Sequence, residues 1–159
     1  MPEGPAEEPV LRELFDLHYS RLLKLAHLLR AGRDAEDLVQ EAFLRAFKKW
    51  RPSSPPETFW PWVRTTLIRL NLDRLRRLRR ELLLMERMSR ERAREVAAPH
   101  EVMGSLRGLT PRQRTAVVLH YFEDLPDSEV AQLMACSPST VRALLHQARK
   151  RLRLDLDQD

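Results

Sequence analysis

Residues 127–152, DSEVAQLMACSPSTVRALLHQARKRL, contain two short amphipathic segments that meet at residues 134–136. Ser137 and Pro138 predict a sharp start for the second helix, because a serine hydroxyl accepts a free backbone N–H and proline suits the first helical position. Apolar residues then recur at helical spacing and predict a buried stripe. Its members are Val141, Leu145, Ala148 and Leu152. The stretch therefore predicts a helix-turn-helix.

The outer face of this second helix is polar and basic, which suits the major groove of DNA. In the motif, the first residues of the second helix reach base edges and basic residues further along contact phosphates. A helical hairpin with a solvated charged face gives a similar pattern and is the alternative interpretation. The outward residues are Ser139, Thr140, Arg142, His146, Arg149 and Lys150.

The composition predicts an all-helical protein. The chain has 159 residues, enough for one ordinary domain or two small ones, and only four are glycine. No segment has the sustained alternation of apolar and polar residues that is typical of strands.

Positive charge is concentrated in one segment. The whole chain has 28 basic and 23 acidic residues, but residues 64–80 contain seven arginines and the single acid Asp73. Such a run beside aromatic residues indicates binding to a polyanion, and a solvated arginine-rich helix is the alternative.

Other functional classes find little support in the sequence. The five histidines are scattered outside any nucleophile, metal or phosphate-loop pattern, so neither an enzyme nor a cofactor is expected. His18 lies on an apolar stripe and is predicted to be a core histidine. Cys136, the one cysteine, is predicted to be a small buried residue rather than a redox sensor. The acidic, proline-rich N-terminus is unlike a secretory signal, and no apolar run is long enough to span a bilayer, so we expect a cytoplasmic protein without membrane insertion.

The N-terminal half predicts three helices. The first covers about residues 10–29, and the second covers residues 35–50 with Asp34 as its cap. Prolines in residues 51–57 then break the helix, because proline removes a backbone donor and restricts its predecessor. Thr58 is predicted to cap the third helix.

A charged linker is predicted to separate this half from a second compact unit. Residues 86–100 lack a clean apolar stripe. The next unit begins near Glu101, where Thr110 and Gln113 form a capping-box pattern that opens a helix reaching about Phe122. Pro126 occupies the cap position before the helix-turn-helix, with Asp127 as a possible substitute.

The order and spacing of several motifs together resemble a bacterial sigma factor of the extracytoplasmic-function (ECF) group, in the sigma-70 family. AEDLVQEAFLR at residues 35–45 resembles region 2.2 of that family, and WVR at 62–64 with DRLRR at 73–77 resembles regions 2.3 and 2.4. LTPRQR at 109–114 resembles region 4.1, and EVA at 129–131 with SPSTV at 137–141 resembles region 4.2.

The resemblance implies two small helical domains and no enzymatic activity. Sigma region 2 would occupy residues 8–82, a charged linker residues 83–100, and sigma region 4 residues 101–155. The function implied is promoter-specific initiation of transcription by RNA polymerase.

Contact with core RNA polymerase is implied for the acidic face of the second helix, through Asp37, Gln40 and Glu41. These residues would meet the clamp helices of the largest subunit, while region 4 would meet the flap of the second-largest subunit. Acidic residues in a first helical turn also suit the helix dipole, which is the alternative reason for their presence.

Promoter contact in region 2 is implied for the minus-ten element as it opens, since unpaired bases stack on aromatic rings and arginines hold the backbone. Trp50 and Trp62 are predicted to be core residues, whereas Trp60 is predicted to be exposed. The DNA-binding residues implied here are Trp60, Arg64, Arg69, Arg74, Arg76 and Arg77.

Region 4 is implied to bind the minus-thirty-five element as a duplex through Ser139, Thr140, Arg142, Ala143, His146 and Arg149. Six residues depart from the family pattern: Arg69, Pro126, Ala135, Ala143, Leu144 and Gln147. Ala135 replaces a glycine at the helix junction, where a left-handed residue would cost alanine about 1 kcal/mol, so we expect the turn to relax.

Two other functions are compatible with parts of the sequence. One is a sigma-like decoy that sequesters an anti-sigma factor without binding promoters, although the arginine run argues against it. The other is a stand-alone helix-turn-helix regulator, which leaves the first 80 residues unexplained. An anti-sigma factor is also an implied partner of a true sigma factor.

Overall fold

The computed structural model describes residues 7–29, 34–86, 106 and 108–156. Helices are the only regular secondary structure among these described residues, which confirms the predicted all-α class. The chain divides into two compact units, an N-terminal unit that ends at Asp73 and a C-terminal unit that begins at Arg74.

Three helices carry the N-terminal half, as predicted. They are α1 (Glu7–Leu28), α2 (Ala35–Lys49) and α3 (Phe59–Glu86), with a short 3-10 turn at Pro56–Thr58 before α3. The helix α3 extends four residues into the predicted linker, and residues 87–100 lie outside the described part of the chain.

An aromatic cluster forms the core of the N-terminal unit. The ring of Phe43 lies 4.7 Å from that of Phe15 and 6.1 Å from that of Phe59, and the Phe59 ring meets Trp50 edge-on at 5.2 Å. Phe59 is fully buried. These tilted, edge-on and offset contacts add to the stabilisation from burial alone, so the cluster fixes where α3 begins relative to α1 and α2.

Two predicted helix caps behave differently in the structure. Asp34 precedes α2 but makes no side-chain capping hydrogen bond. Thr58 does not cap α3: its hydroxyl donates to the Pro55 carbonyl at 2.6 Å and accepts from Trp50 Nε1 at 3.1 Å. Asp34 thus occupies the predicted N-cap position without a capping bond. The prediction for Thr58 was wrong, since this residue instead ties the proline-rich loop to the end of α2.

His18 packs against the aromatic cluster but is half-buried, instead of fully core as its apolar stripe predicted. Its ring lies 5.7 Å from Phe59 and 5.5 Å from Trp60. Burial lowers the pKa of His18 below its ordinary value of 6.5, and the positive charge of Arg21 lowers it further. The packing therefore favours the neutral imidazole.

This lowered pKa predicts a loss of stability in mild acid. The unfolded chain takes up a proton at His18 near pH 6.5, whereas the folded chain resists it, so the free energy of unfolding should fall as pH drops through and below that value. Urea unfolding between about pH 7.5 and 5.5, followed by circular dichroism, measures the slope. His18→Phe should flatten it, and the exposed His27→Phe should not; equal slopes for all three chains would contradict the prediction.

The C-terminal unit contains α4 (Pro111–Val117), which continues as a π-helical turn at Val118–Phe122, then α5 (Asp127–Met134) and α6 (Pro138–Leu156). The predicted capping box is present, since Thr110 and Gln113 each bond the backbone N–H of the other. The helix α6 packs against both α4 and α5. Its predicted stripe is buried at Val141, Leu145 and Ala148, and half-buried at Leu152.

A buried arginine secures the segment before α4. Arg114 is 6% exposed, and its guanidinium donates to the Leu106 carbonyl at 3.0 and 3.1 Å and to the Leu109 carbonyl at 3.0 Å. The Leu106 carbonyl also accepts the N–H of Leu109 at 3.3 Å, so the arginine adds charged donors to acceptors that are buried with it.

The junction of the helix-turn-helix keeps its left-handed residue, and the expectation that it relaxes was wrong. Ala135 has φ 52° and ψ 49°. Its N–H donates to Gln132 O at 3.3 Å, and the N–H of the half-buried Cys136 donates to Ala131 O at 3.0 Å. This pair of bonds is a Schellman motif, which requires the left-handed residue and holds alanine there despite its Cβ.

Ala135→Gly should therefore stabilise the C-terminal unit, by up to about 1 kcal/mol, because glycine carries no Cβ penalty at positive φ. Urea unfolding followed by circular dichroism measures the change. The same replacement at Ala143, an exposed position inside α6, should destabilise by about 1 kcal/mol. Equal losses at the two sites would show that the junction is unstrained.

Within the described ranges, none of the helices combines the length and apolar character needed to cross a lipid bilayer.

Candidate nucleic-acid interface

The N-terminus of α6 is built from three hydroxyl side chains. Ser137 Oγ accepts the backbone N–H of Thr140 at 3.2 Å, which confirms the predicted cap. The same oxygen lies 2.9 Å from the hydroxyls of both Ser139 and Thr140. Ser139 is exposed and Thr140 is half-buried. The cap thus orients the two hydroxyl groups that were predicted to reach base edges.

The rest of the predicted reading face is open to solvent. Arg142, Ala143, His146 and Arg149 are all exposed on α6. Behind Arg142 lies the carboxylate of Asp127, with Oδ2 3.9 Å from Nη1 of the arginine and Oδ1 3.5 Å from Nδ1 of His120. Asp127 is the first residue of α5 and not its cap, since the cap position belongs to Pro126.

Arg149 is held from outside its own helix. Its Nη1 donates to the hydroxyl of Tyr121, in the π-helical turn, at 3.0 Å. The aromatic residue is half exposed. The arginine predicted to meet a phosphate therefore has a defined position before any DNA is bound.

Two departures from the family pattern have structural roles in α6. The amide oxygen of Gln147 accepts from Gln113 Nε2 of α4 at 3.3 Å. Leu144 is half-buried. These side chains help to seat α6 on its neighbours rather than adding charge to its outer face.

The arginines of α3 separate into two groups by their position on the helix. Arg64 and Arg74 are half-buried, on the side of α3 that carries Val63 and Leu67. The other five arginines of α3, including Arg79, are exposed, and four of them lie on the opposite side of the helix. We call this group the arginine strip: Arg69, Arg76, Arg77 and Arg80.

Trp60 is buried, so the prediction of an exposed ring was wrong. It is 8% exposed, and Arg21 of α1 places its guanidinium carbon 3.9 Å from the ring centre. The cause is long-range packing of α1 over the start of α3. Trp62 is half-buried instead of fully core, and Trp50 is buried as predicted.

The predicted polymerase-binding residues lie together on the open face of α2. Asp37, Gln40 and Glu41 are all exposed. Glu41 also forms an ion pair of 2.7 Å with Arg45 one turn later. Exposed pairs of this kind contribute little stability, so Glu41 can exchange this partner for another at small cost.

Comparison with known protein families matches both halves of this arrangement. Residues 14–81 match the model of sigma-70 region 2, and residues 100–152 match that of sigma-70 region 4. The chain belongs to the sigma-70 family. The region 2 model covers α2 and the whole arginine strip of this sigma factor. The region 4 model covers its complete helix-turn-helix.

Curated relatives place the sigma factor in the ECF group. It is 32% identical to the ECF RNA polymerase sigma factor SigE of Mycolicibacterium smegmatis, over 93% of this chain and 62% of that protein. It is 29% identical to the RNA polymerase sigma-E factor of Streptomyces coelicolor, over 81% of this chain and 79% of that protein. The chain thus spans less than two thirds of the length of the SigE protein and more than two thirds of the length of the sigma-E factor.

A solved structure shares the fold. The sigma factor RpoE, crystallised in complex with the anti-sigma factor NepR from Bartonella quintana, aligns with a TM-score of 0.65 and 24% identity. The alignment covers 93% of this chain and 97% of that one.

Three residues with roles at these surfaces were missed by the sequence reasoning. Arg21 covers Trp60, Asp127 lies behind Arg142, and Tyr121 holds Arg149. Each contact joins residues at least 15 positions apart, so helical periodicity carries no signal for it. The exposed aromatic Tyr121 at the end of a predicted helix was the one available hint.

Proposed function

We propose that this chain is a promoter-specificity subunit that directs transcription initiation by bacterial RNA polymerase. The observation that carries the proposal is the joint presence, in one sigma-70 chain, of an exposed helix-turn-helix reading face and an exposed arginine strip. A reading face recognises duplex base edges, and a strip of forked cations holds a sugar-phosphate backbone. A sigma-like decoy that does not bind promoters would require neither the reading face nor the arginine strip.

The helices α1 to α3 would join core polymerase and the minus-ten element. In the proposal, the exposed residues Asp37, Gln40 and Glu41 of α2 meet basic and polar groups on the clamp helices of the largest subunit. The arginine strip holds the backbone of the opening strand. Trp60 is covered by Arg21, so we assign it a role in the core of the unit and not base stacking.

The C-terminal unit would read the minus-thirty-five element with α6 and meet the polymerase flap. Ser139, Thr140 and Arg142 lie in the first turns of α6, where base edges are reached in this motif. Arg149, further along, suits a phosphate. Each unit then binds weakly alone, while polymerase presents both to one promoter and raises the effective concentration of the second contact.

An anti-sigma factor is proposed as the regulator. The support is the family resemblance, together with the complex that the RpoE of Bartonella quintana forms with NepR. In this proposal, the regulator covers surfaces that would otherwise meet polymerase.

Transcription with purified sigma-free core polymerase tests the proposed function. Genomic fragments from the source organism serve as templates, with and without the chain, and transcript starts are sequenced. New starts that share two spaced upstream motifs are expected. Binding to core without new starts would favour the decoy, and absence of both would end the polymerase hypothesis and direct attention to duplex operators.

A further inference from the structure

We infer that Tyr121 and Arg149 together form a phosphate-binding pair at the edge of the reading face, in which Tyr121 positions the arginine. This inference rests on the proposed function, because it names a DNA contact of the same C-terminal unit. Its ligand is one phosphodiester group of duplex DNA beside the bases that α6 reads.

The π-helical turn explains why an aromatic residue is available at this place. A continuous α-helix from Pro111 would put Phe122 on the same face as the buried Val118 and Leu119, three or four residues earlier. The turn instead closes with the N–H of Glu123 donating to Val118 O at 3.1 Å, five residues back. Tyr121 and Phe122 are consequently 50% and 54% exposed, while Val118 and Leu119 are fully buried. Such π-helical turns occur frequently at functional sites.

The tyrosine ring is supported from behind. His120 meets it edge-on with ring centres 4.8 Å apart, and Nδ1 of His120 lies 3.1 Å from the Leu125 carbonyl. This contact restricts the rotation of the ring. The hydroxyl of Tyr121 is therefore less free to move than that of an exposed tyrosine without such a neighbour.

The hydrogen bond between Arg149 and Tyr121 leaves donor groups on both side chains that can bind an anion. Arg149 Nη1 donates to the Tyr121 oxygen at 3.0 Å, so this oxygen accepts one bond and still has its own O–H to donate. The guanidinium has five N–H donors and uses one of them here. A phosphate oxygen can then accept from both the tyrosine and the arginine.

Tyr121 contributes to DNA affinity by holding the side chain of Arg149 in position before DNA binds. A long arginine side chain loses conformational freedom when DNA fixes it, and this loss opposes binding. The bond to Tyr121 restricts the arginine before DNA arrives, so less freedom is lost on binding. Ser139, Thr140 and Arg142 would read bases, while this pair fixes the register of α6 on the duplex.

A double-mutant cycle tests the pair. The full chain, bound to core polymerase, is titrated with a fluorescent promoter duplex found from the transcript starts. Tyr121→Phe removes only the hydroxyl and should lower affinity about threefold to tenfold. Arg149→Ala should lower it at least as much and reduce the slope of log affinity against log salt by about one. In the Arg149→Ala background, Tyr121→Phe should lower affinity less than it does in the parent, because only the direct bond from the tyrosine hydroxyl to the phosphate is then left to lose.

Two controls separate this role from a structural one. Phe122→Leu, at the equally exposed neighbour, should change affinity less than about twofold. The melting temperature of the Tyr121→Phe chain should equal that of the parent. Additive losses from Tyr121 and Arg149, or no loss from Tyr121→Phe, would overturn the inference while the parent still bound its promoter. A parent chain that bound no DNA would overturn the proposed function as well.

Discussion

Replacing all four residues of the arginine strip, Arg69, Arg76, Arg77 and Arg80, with alanine should abolish most of the salt-dependent DNA affinity of α3. Each backbone contact contributes about 0.7 to 0.9 to the slope of log affinity against log salt, since bound counterions are released. Four contacts predict that the slope becomes shallower by about 3. Between about 50 and 200 mM salt, the parent chain should therefore lose about 100-fold more affinity than the variant.

The measurement does not require the promoter sequence, because the strip holds the backbone and not the bases. Fluorescence anisotropy of the full chain with a forked DNA probe at a series of salt concentrations gives the slope. A control chain removes the same charge elsewhere on the N-terminal unit, at the exposed residues Arg12, Lys48, Lys49 and Arg51. If both variants lose the same slope, the attraction comes from net charge and the strip is only a solvated face.

Replacing Arg114 with alanine should lower the free energy of unfolding of the C-terminal unit by about 2–4 kcal/mol. The guanidinium makes three hydrogen bonds to the carbonyls of Leu106 and Leu109. Without it, these buried acceptors lose a charged donor, and the space of a nearly buried side chain is left empty. Urea unfolding followed by far-ultraviolet circular dichroism measures the loss.

Two further variants assign the cause. Arg114→Met keeps most of the side-chain volume and removes the donors, so it should retain part of the packing but none of the hydrogen bonding. Arg112→Ala, at an exposed position two residues earlier, should change stability by less than about 0.5 kcal/mol. A small effect of Arg114→Ala would mean that water or a rearranged loop satisfies the two carbonyls.

Local contacts explain what the sequence could predict. Ser137 caps α6, and Thr110 and Gln113 cap α4, through bonds that span three residues. The buried stripe of α6 follows from spacing alone. The positions of Asp37, Gln40 and Glu41 on one exposed face follow from the same periodicity. Their contact with polymerase stays a prediction.

Long-range packing explains what the sequence missed. Trp60 is buried because Arg21, from another helix, covers its ring. Arg149 is fixed by Tyr121, 28 residues earlier. A turn of π-helix displaced the aromatic residues, and no apolar spacing distinguishes that turn from ordinary α-helix. The domain boundaries at residues 82 and 101 likewise stay predictions.

The strained junction shows how tertiary packing overrides local preference. The left-handed conformation is energetically unfavourable for alanine, so the sequence predicted a relaxed turn. The buried residues on either side, Met134 and Val141, lock α5 and α6 in place, and the two Schellman bonds complete the turn. The fold bears a local cost of about 1 kcal/mol at Ala135 because the alternative would displace α6.

The burial of the indole rings gives the molecule a natural spectroscopic label. All three tryptophans, Trp50, Trp60 and Trp62, belong to the N-terminal unit. Indole emission consequently reports the state of that unit alone, while ellipticity reports both. A titration with denaturant in which the emission shifts at one concentration and the ellipticity in two steps would reveal independent melting of the two halves, without any introduced dye.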